Sequence, residues 1–69
     1  MKEIDARGYA CPMPVIMVQK EVKVSAPTEL KVLVDNVCAV ENVTRFGRSQ
    51  GYRVEHRAIE DDFEVTLSK

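Results

Sequence analysis

The chain has 69 residues, of which 45% are hydrophobic and 30% are charged, and its formal net charge is −1 at pH 7. This length allows one domain, residues 1–69, with a small hydrophobic core. A charge near zero argues against direct nucleic-acid binding, which depends on a basic surface that neutralises phosphates. No run reaches about 18 consecutive apolar residues, the length of a membrane span, and the amino terminus lacks a signal-peptide pattern. We therefore expect a cytoplasmic protein with no membrane partner.

The first half of the chain predicts a strand, a helix and a second strand. Residues 2–6 alternate apolar and polar side chains, as short strands do, and Gly8 ends this strand. Over residues 13–24 an apolar run favours a strand, whereas positions 11, 15, 18 and 22 share one helical stripe. Because prolines are tolerated in the first helical turn, we predict a helix here. The β-branched run 30–34 predicts a buried strand.

The second half predicts another helix and a hairpin. The helix covers residues 39–50, with Asp35 or Asn36 as its cap and Gly51 at its end. Gly47 costs this helix about 1 kcal/mol relative to alanine, so we expect it where the helix lies closely on the sheet. Alternation over 52–58 and 63–67 predicts two strands joined by the acidic turn 60–62. With right-handed crossovers, the order βαβαββ predicts an α/β fold, specifically an α+β two-layer sandwich with two helices on one face of a four-stranded mixed sheet.

The turn after the first strand delivers Cys11 to the amino end of the first helix. That end carries partial positive charge and unpaired N–H groups, which stabilise the thiolate form of a cysteine. If Cys11 is the N-cap, Pro14 lacks the N–H of the third position, so Met13 N–H is the predicted main donor to the sulfur. Alternatively, the residue before a proline resists helical angles, and the helix begins at Pro14 with Cys11 in a more exposed turn. The competing interpretation of Cys11 is a small buried hydrophobe.

Several other side chains have both a functional and a structural interpretation. Arg7 is either a positive charge near Cys11 or a surface arginine that closes the strand. Met13 and Met17 form either a soft apolar contact surface or part of the core. His56 is expected in the core or at a sheet edge. The remaining candidate is a group of three arginines, Arg45, Arg48 and Arg53. They form either a patch that docks an acidic partner or ordinary exposed charge.

The run from Asp5 to Pro14, with Cys-Pro-x-Pro preceded by Arg-Gly, resembles the signature of the TusA/SirA-like sulfur-carrier family. The likeness extends over essentially the whole chain. It implies that Cys11 accepts sulfur as a persulfide from a cysteine desulfurase-type donor and passes it to a downstream acceptor protein. It also implies a carrier rather than a free-standing catalyst, without an organic cofactor or metal, and we expect a monomer. The supporting positions are Arg7, Gly8, Pro12, Met13 and Pro14.

Cys38 and its surroundings depart from part of this family. Members that serve tRNA thiolation tend to carry Asp-Asp-Pro after the second strand, whereas residues 34–43 resemble the amino-terminal domain of YedF-type proteins, which are associated with selenium metabolism. Cys38 precedes the second predicted helix as Cys11 precedes the first. If the first two strands are parallel neighbours, both thiols lie at the same sheet edge. Cys38 is then either a resolving cysteine for Cys11 or a partly buried thiol near a helix start.

Two other functions compete with the carrier. One is a thiol-disulfide redox module that uses Cys11 and Cys38, and the other is a non-catalytic interaction or regulatory domain. A zinc site is disfavoured, because two distant cysteines and one histidine make a poor ligand set.

Overall fold

A computed structural model describes residues 2–10 and 12–69. The strands are β1 (Lys2–Asp5), β2 (Glu29–Val34), β3 (Arg53–Ile59) and β4 (Asp62–Ser68), and the helices are α1 (Met13–Ser25) and α2 (Val37–Ser49). They form one mixed sheet in the order β1-β2-β4-β3, in which β1 and β2 are parallel and the other pairs are antiparallel. The chain order βαβαββ and the two-layer α+β sandwich are confirmed.

Helix α1 settles the ambiguity between strand and helix in favour of the helix. Its Val18 is fully buried, and Val15 and Val22 pack against the core. The helix ends where Ala26 adopts a left-handed conformation with φ 42° and donates its N–H to the carbonyl of Val22 at 2.9 Å. The stripe of valines therefore outweighs their weak helix propensity, because it provides one continuous apolar face.

Helix α2 begins two residues earlier than predicted and is capped by one of the two predicted residues. The side-chain oxygen of Asn36 accepts from the N–H of Ala39 at 2.8 Å, which is the usual N-cap arrangement. Gly51 follows the helix with φ 87°, a conformation that favours glycine. Because α2 starts at Val37, Cys38 lies inside its first turn rather than before it, which corrects the prediction.

The core lies between the helices and one face of the sheet. Gly47 is buried at the contact between α2 and the sheet, as predicted. A Cβ atom there would lie 2.7 Å from Leu67 Cδ2 and 2.8 Å from Val54 Cγ2. The buried apolar side chains come from all six elements or their ends, and they are Ala6, Val18, Leu30, Val32, Val34, Ala39, Val40, Val43, Tyr52, Val54, Val65 and Leu67.

The opposite face of the sheet carries a line of alternating charges across all four strands. Lys31 Nζ lies 3.9 Å from a carboxylate oxygen of Glu3 and 3.6 Å from one of Glu64. Arg57 Nε lies 3.2 Å from the other oxygen of Glu64. Opposite charges on neighbouring strands stabilise a sheet face that remains in contact with water.

The hairpin between β3 and β4 is tighter than predicted. Asp62 pairs with Ile59 and belongs to β4, which leaves Glu60 and Asp61 as the turn. Glu60 has φ 53°, within the left-handed region. His56 is exposed on β3, which is an edge strand, so the expectation of an edge position is confirmed and that of a core position is wrong. Among the helices described, none combines the length and apolar character needed to cross a membrane.

Candidate functional site

The candidate site is the loop of residues 6–12, which joins β1 to α1 at the carboxyl ends of the two parallel strands. We call it the Cys11 loop. Ala6 continues the pairing with β2 beyond the end of β1, since its N–H donates to the carbonyl of Leu33 at 2.8 Å. Its side chain is fully buried. The loop therefore starts from a fixed point in the core.

Gly8 ties this loop to the beginning of α2. Its φ is 85°, and its N–H donates to Asp35 Oδ2 at 2.7 Å. The second carboxylate oxygen of Asp35 accepts from the side-chain amide of Asn36 at 3.0 Å. The hydrogen bond from the Gly8 N–H is the main cause that lowers the pKa of the Asp35 carboxyl group below its ordinary value, and the hydrogen bond from the Asn36 side chain lowers it further. The sequence analysis considered Asp35 only as a helix cap and missed this tie.

Arg7 is bound to two carboxylates. Its Nε and Nη2 each lie 2.9 Å from an oxygen of Asp5, and its Nη1 lies 3.4 Å from Asp62 Oδ2 at the start of β4. The hydrogen bond with Arg7 lowers the pKa of Asp5 to about 2, and the same bond raises the pKa of Arg7. The geometry favours the structural interpretation of Arg7, as a residue that closes the strand, because both carboxylates balance its charge.

The start of α1 differs from both predictions. Its N-cap is Pro12, with φ −98° and ψ 18°, and the first helical residue is Met13. The N–H of Met13 donates to the carbonyl of Ala10 at 2.9 Å, and the N–H of Ile16 donates to Pro12 at 3.2 Å. The prediction that Cys11 is the N-cap is therefore wrong, because a backbone turn closes this helix end. Cys11 itself, with its predicted bond to Met13 N–H, lies outside the described residues.

The neighbours of Cys11 in the chain are exposed. Tyr9 and Met13 are 46% and 41% exposed, and Ala10 and Pro12 are also exposed. We call Tyr9, Pro12 and Met13 the apolar flank. Met17, one turn further along α1, is partly buried against the core. The two methionines therefore divide between the two predicted roles, Met13 at the surface and Met17 in the core, and Pro14 is buried below them.

Cys38 is an exposed free thiol, which corrects the expectation of a partly buried one. Asn42, one turn along α2, has its side-chain nitrogen 3.6 Å from the Cys38 sulfur. The parallel pairing of β1 and β2 is confirmed, so α1 and α2 both begin at the same edge of the sheet. The separation of Cys38 from Cys11 lies outside what the structure describes. No three potential metal-ligating side chains come together within residues 2–10 and 12–69.

The predicted arginine patch is only partly assembled. Arg45 and Arg48 line a groove on the flank of α2 together with His56 of β3. Arg53 is not part of it, because it lies next to the buried Val54 on β3 and successive strand residues face opposite sides of the sheet. The sequence did not predict that His56 lies beside Arg45 and Arg48, because strand β3 and helix α2 meet only in the folded chain.

Comparison with known proteins assigns this chain to a family. A family model described as "Sulfurtransferase TusA" matches residues 2–69. The chain belongs to the TusA family. A protein of Methanocaldococcus jannaschii whose name describes it as a sulfur carrier is 34% identical to this chain over 71 aligned positions. These positions cover 100% of this chain and 95% of that protein. The crystal structure of a SirA-like protein from Desulfitobacterium hafniense has a TM-score of 0.86 at 33% identity and covers 97% of this chain and 95% of the other.

Membership of the TusA family confirms the resemblance inferred from the run around Cys11. The SirA-like structure confirms the fold class. The finer resemblance of residues 34–43 to YedF-type proteins stays a prediction. So does the role of each residue in the loop.

Proposed function

We propose that this chain is a cytoplasmic sulfur carrier in which Cys11 holds sulfur as a persulfide and passes it to a partner protein. The observation that carries the proposal is the match to the TusA family model over residues 2–69. In the sequence, the Cys-Pro-x-Pro motif of residues 11–14 follows β1 and ends in the first turn of α1. The proposal treats residues 1–69 as one domain. Its partners are a cysteine desulfurase-type donor and a downstream acceptor protein.

The transfer is an exchange between thiols and persulfides. The Cys11 thiolate attacks the outer sulfur of the donor's persulfide, the sulfur–sulfur bond of the donor breaks, and the donor cysteine leaves as a thiolate. A thiolate of the acceptor then attacks the outer sulfur on Cys11, and Cys11 leaves as a thiolate. Each step forms one sulfur–sulfur bond and breaks one, so no external oxidant or reductant is needed. Only thiolates act as attacking or leaving groups, and their pKa values set the rates.

The surroundings of Cys11 support transfer between proteins rather than to a small molecule. The flanking residues Tyr9, Ala10, Pro12 and Met13 are exposed, so a protein partner meets no enclosing wall on these sides. The loop is nevertheless fixed at Ala6 by backbone pairing and at Gly8 by Asp35. Fixing the loop at these two residues lowers the entropy cost of ordering their backbone at each encounter with a partner.

The amino end of α1 stabilises an anion through the helix dipole, and no side chain caps it among the residues described. The N–H of Met13 donates to the carbonyl of Ala10. The partial positive charge at the amino end of α1 remains available to a nearby thiolate. We therefore expect the helix dipole to favour the thiolate form of Cys11, which is both the attacking form and the leaving form in this exchange.

Incubation with a cysteine desulfurase and cysteine, followed by intact mass measurement and peptide mapping, tests the proposal. A gain of about 32 Da that maps to Cys11, is absent in Cys11→Ser and persists in Cys38→Ser is the expected result. Modification of Cys38 alone, or none in the wild-type chain, would contradict it.

The exposed Cys38 at the same sheet edge gives the redox alternative its own outcome in this experiment. Mild oxidation that joins Cys11 to Cys38, with loss of two hydrogens and no bound sulfur from the desulfurase, would favour a thiol-disulfide module. Absence of both modifications would leave a non-catalytic interaction or regulatory domain as the remaining function. Cys38→Ser serves as the matched control, since it removes the second thiol and leaves the Cys11 loop unchanged.

A further inference from the structure

The edge strand β3 offers a row of backbone groups away from the Cys11 loop. The turn Glu60–Asp61 makes a two-residue hairpin closed by the pair Ile59 and Asp62. Backbone hydrogen bonding alternates along an antiparallel pair, so Val54, His56 and Ala58 direct their N–H and C=O groups away from β4. Tyr52, of the same parity, already donates its N–H outside the sheet, to the carbonyl of Gly47 at 3.0 Å.

A groove follows this edge between β3 and the flank of α2. Arg45 and Arg48 form its wall on α2, and His56 forms its floor on β3. Glu41 is the acidic side chain in the lining, and Val40 and Thr44 complete it. Two arginines against one glutamate leave the groove with an excess of positive charge.

The positive charge in this groove is not balanced by ion pairs. Among the other basic side chains, four pair with a carboxylate, namely Lys2, Arg7, Lys31 and Arg57, whereas four form no ion pair with any residue that the structure describes, namely Lys20, Lys23, Arg53 and Lys69. Within residues 2–10 and 12–69, neither Arg45 nor Arg48 forms an ion pair. Both are exposed.

We propose that the β3 edge and this groove together bind an extended acidic segment of a partner protein, which adds to the sheet as a fifth strand beside β3. The backbone of the segment pairs with Val54, His56 and Ala58, in the manner of peptide binding by strand addition. Every second side chain of the added strand faces the helix layer. There an acidic side chain meets Arg45 and Arg48.

Two other occupants fit this surface less well. A second copy of this chain that paired through its own β3 would place Val54, His56 and Ala58 toward the helix layer of its neighbour, and none of these is acidic. A nucleic acid brings negative charge but no strand-pairing groups, and the net charge of −1 disfavours it. An acidic polypeptide strand satisfies both the backbone groups and the arginines.

The groove lies close to the loop of residues 6–12, since Arg45 also lines the neighbouring depression that Pro12 borders. Strand β3 runs in the same direction as β2, so its end at Ile59 lies at the sheet edge where the loop after β1 begins. Arg7 reaches from that loop to Asp62, the partner of Ile59 across the hairpin. A partner held along β3 is thereby tethered beside the loop, which raises the effective concentration of its reactive group. The binding itself does not depend on Cys11 chemistry.

A synthetic peptide tests the binding directly on the full chain. The probe is an eight-residue peptide that alternates glutamate and threonine, titrated into isotopically labelled protein while backbone amide shifts and their exchange with solvent are followed. We expect shifts and slowed exchange at Val54, His56 and Ala58, and weakening by added salt. The double variant Arg45→Glu/Arg48→Glu should weaken binding by about tenfold or more, because like charges then face each other.

Matched controls separate strand addition from general attraction. The variant Lys20→Glu/Lys23→Glu makes the same change in net charge on the exposed part of α1 and should leave the affinity within about twofold. A peptide with lysine in place of glutamate, and one with methylated backbone nitrogens, should both bind more weakly. The proposal fails if the two double variants lose affinity equally, if shifts occur only in residues 7–13, if a single-stranded RNA binds more tightly, or if the chain dimerises through β3 without peptide.

These outcomes are independent of the proposed sulfur chemistry. Cys11→Ser should bind the acidic peptide as the wild type does, even though it cannot hold sulfur. Loss of peptide binding with normal persulfide formation would overturn the groove alone. Normal peptide binding without persulfide formation would overturn the carrier alone.

Discussion

Two carboxylates hold the loop after β1 in different ways. Asp5 pairs with the arginine two residues further along the chain, and Asp35 reaches the Gly8 N–H from the next parallel strand. The first bond is local, so it shapes the turn, whereas the second joins the loop after β1 to the residue before the N-cap of α2. Of these two contacts, one is short-range and one is long-range.

Asp35→Ala should release the loop at Gly8. Without the carboxylate, the Gly8 N–H has lost its acceptor at 2.7 Å, and we expect faster exchange of this amide with solvent, measured by NMR. Asp35→Asn retains an uncharged acceptor and should give an intermediate rate. Asp61→Asn, in the exposed hairpin turn, is the matched control and should change nothing at Gly8. Equal protection in all four proteins would show that the contact does not hold the loop.

Asp5 should make stability depend on acid pH. Its pKa falls from 3.8 to about 2 on folding, so the unfolded chain takes up a proton first as the pH decreases. The contribution of Asp5 to the free energy of unfolding is therefore complete above the unfolded pKa and is lost as the pH falls toward about 2. In urea titrations at a series of pH values, the wild type should lose stability more steeply than Asp5→Asn between these limits. Parallel curves for the two proteins would contradict this assignment.

At the scale of the elements, the two helices begin by different means. Helix α1 starts from a backbone turn at Pro12, while α2 starts from the side chain of Asn36. The difference is chemical: Pro12 has no polar side chain, whereas the amide oxygen of Asn36 accepts from Ala39 N–H. Helix α2 should therefore be sensitive to its cap residue.

Asn36→Ala should lower the free energy of unfolding by about 1 kcal/mol, because Ala39 N–H loses its partner at the helix start. Asn36→Asp keeps an oxygen at the same position and should retain most of the stability. Denaturation with urea, with both variants and the wild type compared at one pH, measures the difference. If alanine and aspartate proved equally stable, the cap would not contribute.

Gly47→Ala tests the contact between α2 and the sheet. Alanine favours the helix by about 1 kcal/mol, but its Cβ would lie within 3 Å of both Leu67 and Val54. Overpacking of a buried site costs about 1–3 kcal/mol, so we expect a net destabilisation of about 1 kcal/mol. The exposed Gln19→Ala in α1 is the control and should have little effect on the urea midpoint. A stabilised Gly47→Ala protein would show that the neighbouring side chains move away freely.

At the scale of the whole molecule, the surfaces of the fold differ in character. The open sheet face carries charges paired across four strands. The edge around the Cys11 loop is apolar and exposed through Tyr9 and Met13. Paired charges favour contact with water, whereas an exposed apolar surface favours a protein partner. Donor and acceptor should therefore approach from the loop edge.

Tyr9→Ser/Met13→Ser should slow sulfur transfer from a cysteine desulfurase by about tenfold, because a protein–protein contact loses two large anchors. Stability should change little, since both side chains are exposed. Val24→Ser, which changes a side chain 84% exposed on the same helix away from the loop, is the matched control for surface apolarity and should transfer at the wild-type rate. Transfer kinetics by mass spectrometry check the result, and an equal loss in both proteins would contradict a specific contact at the apolar flank.

The sequence by itself determined the order of elements and the family. Periodicity identified α2, β1, β3 and β4, because each of these elements presents one apolar face to the same small core. The continuous β-branched run identified β2, and the stripe of apolar residues together with the prolines decided in favour of a helix for α1. The pair Asp35 and Asn36 marked the start of α2 and Gly51 its end, because the chemistry of a helix end acts within one turn of the chain; the structure selected Asn36 as the cap. The motif around Cys11 identified the family because it is contiguous.

Only the tertiary structure decided the contacts between elements. The tie from Gly8 to Asp35, the bond from Arg7 to Asp62 and the groove of Arg45, Arg48 and His56 join residues that are distant in the chain. No periodic pattern encodes such pairs, since each depends on the strand order β1-β2-β4-β3. The start of α1 also came only from the structure. Pro12 and Pro14 are compatible with several turns, and the hydrogen bond from the Met13 N–H to the carbonyl of Ala10 shows which of them forms. Local hydrogen bonding and hydrophobic periodicity are therefore readable from sequence, whereas the partners of the loop follow from the fold.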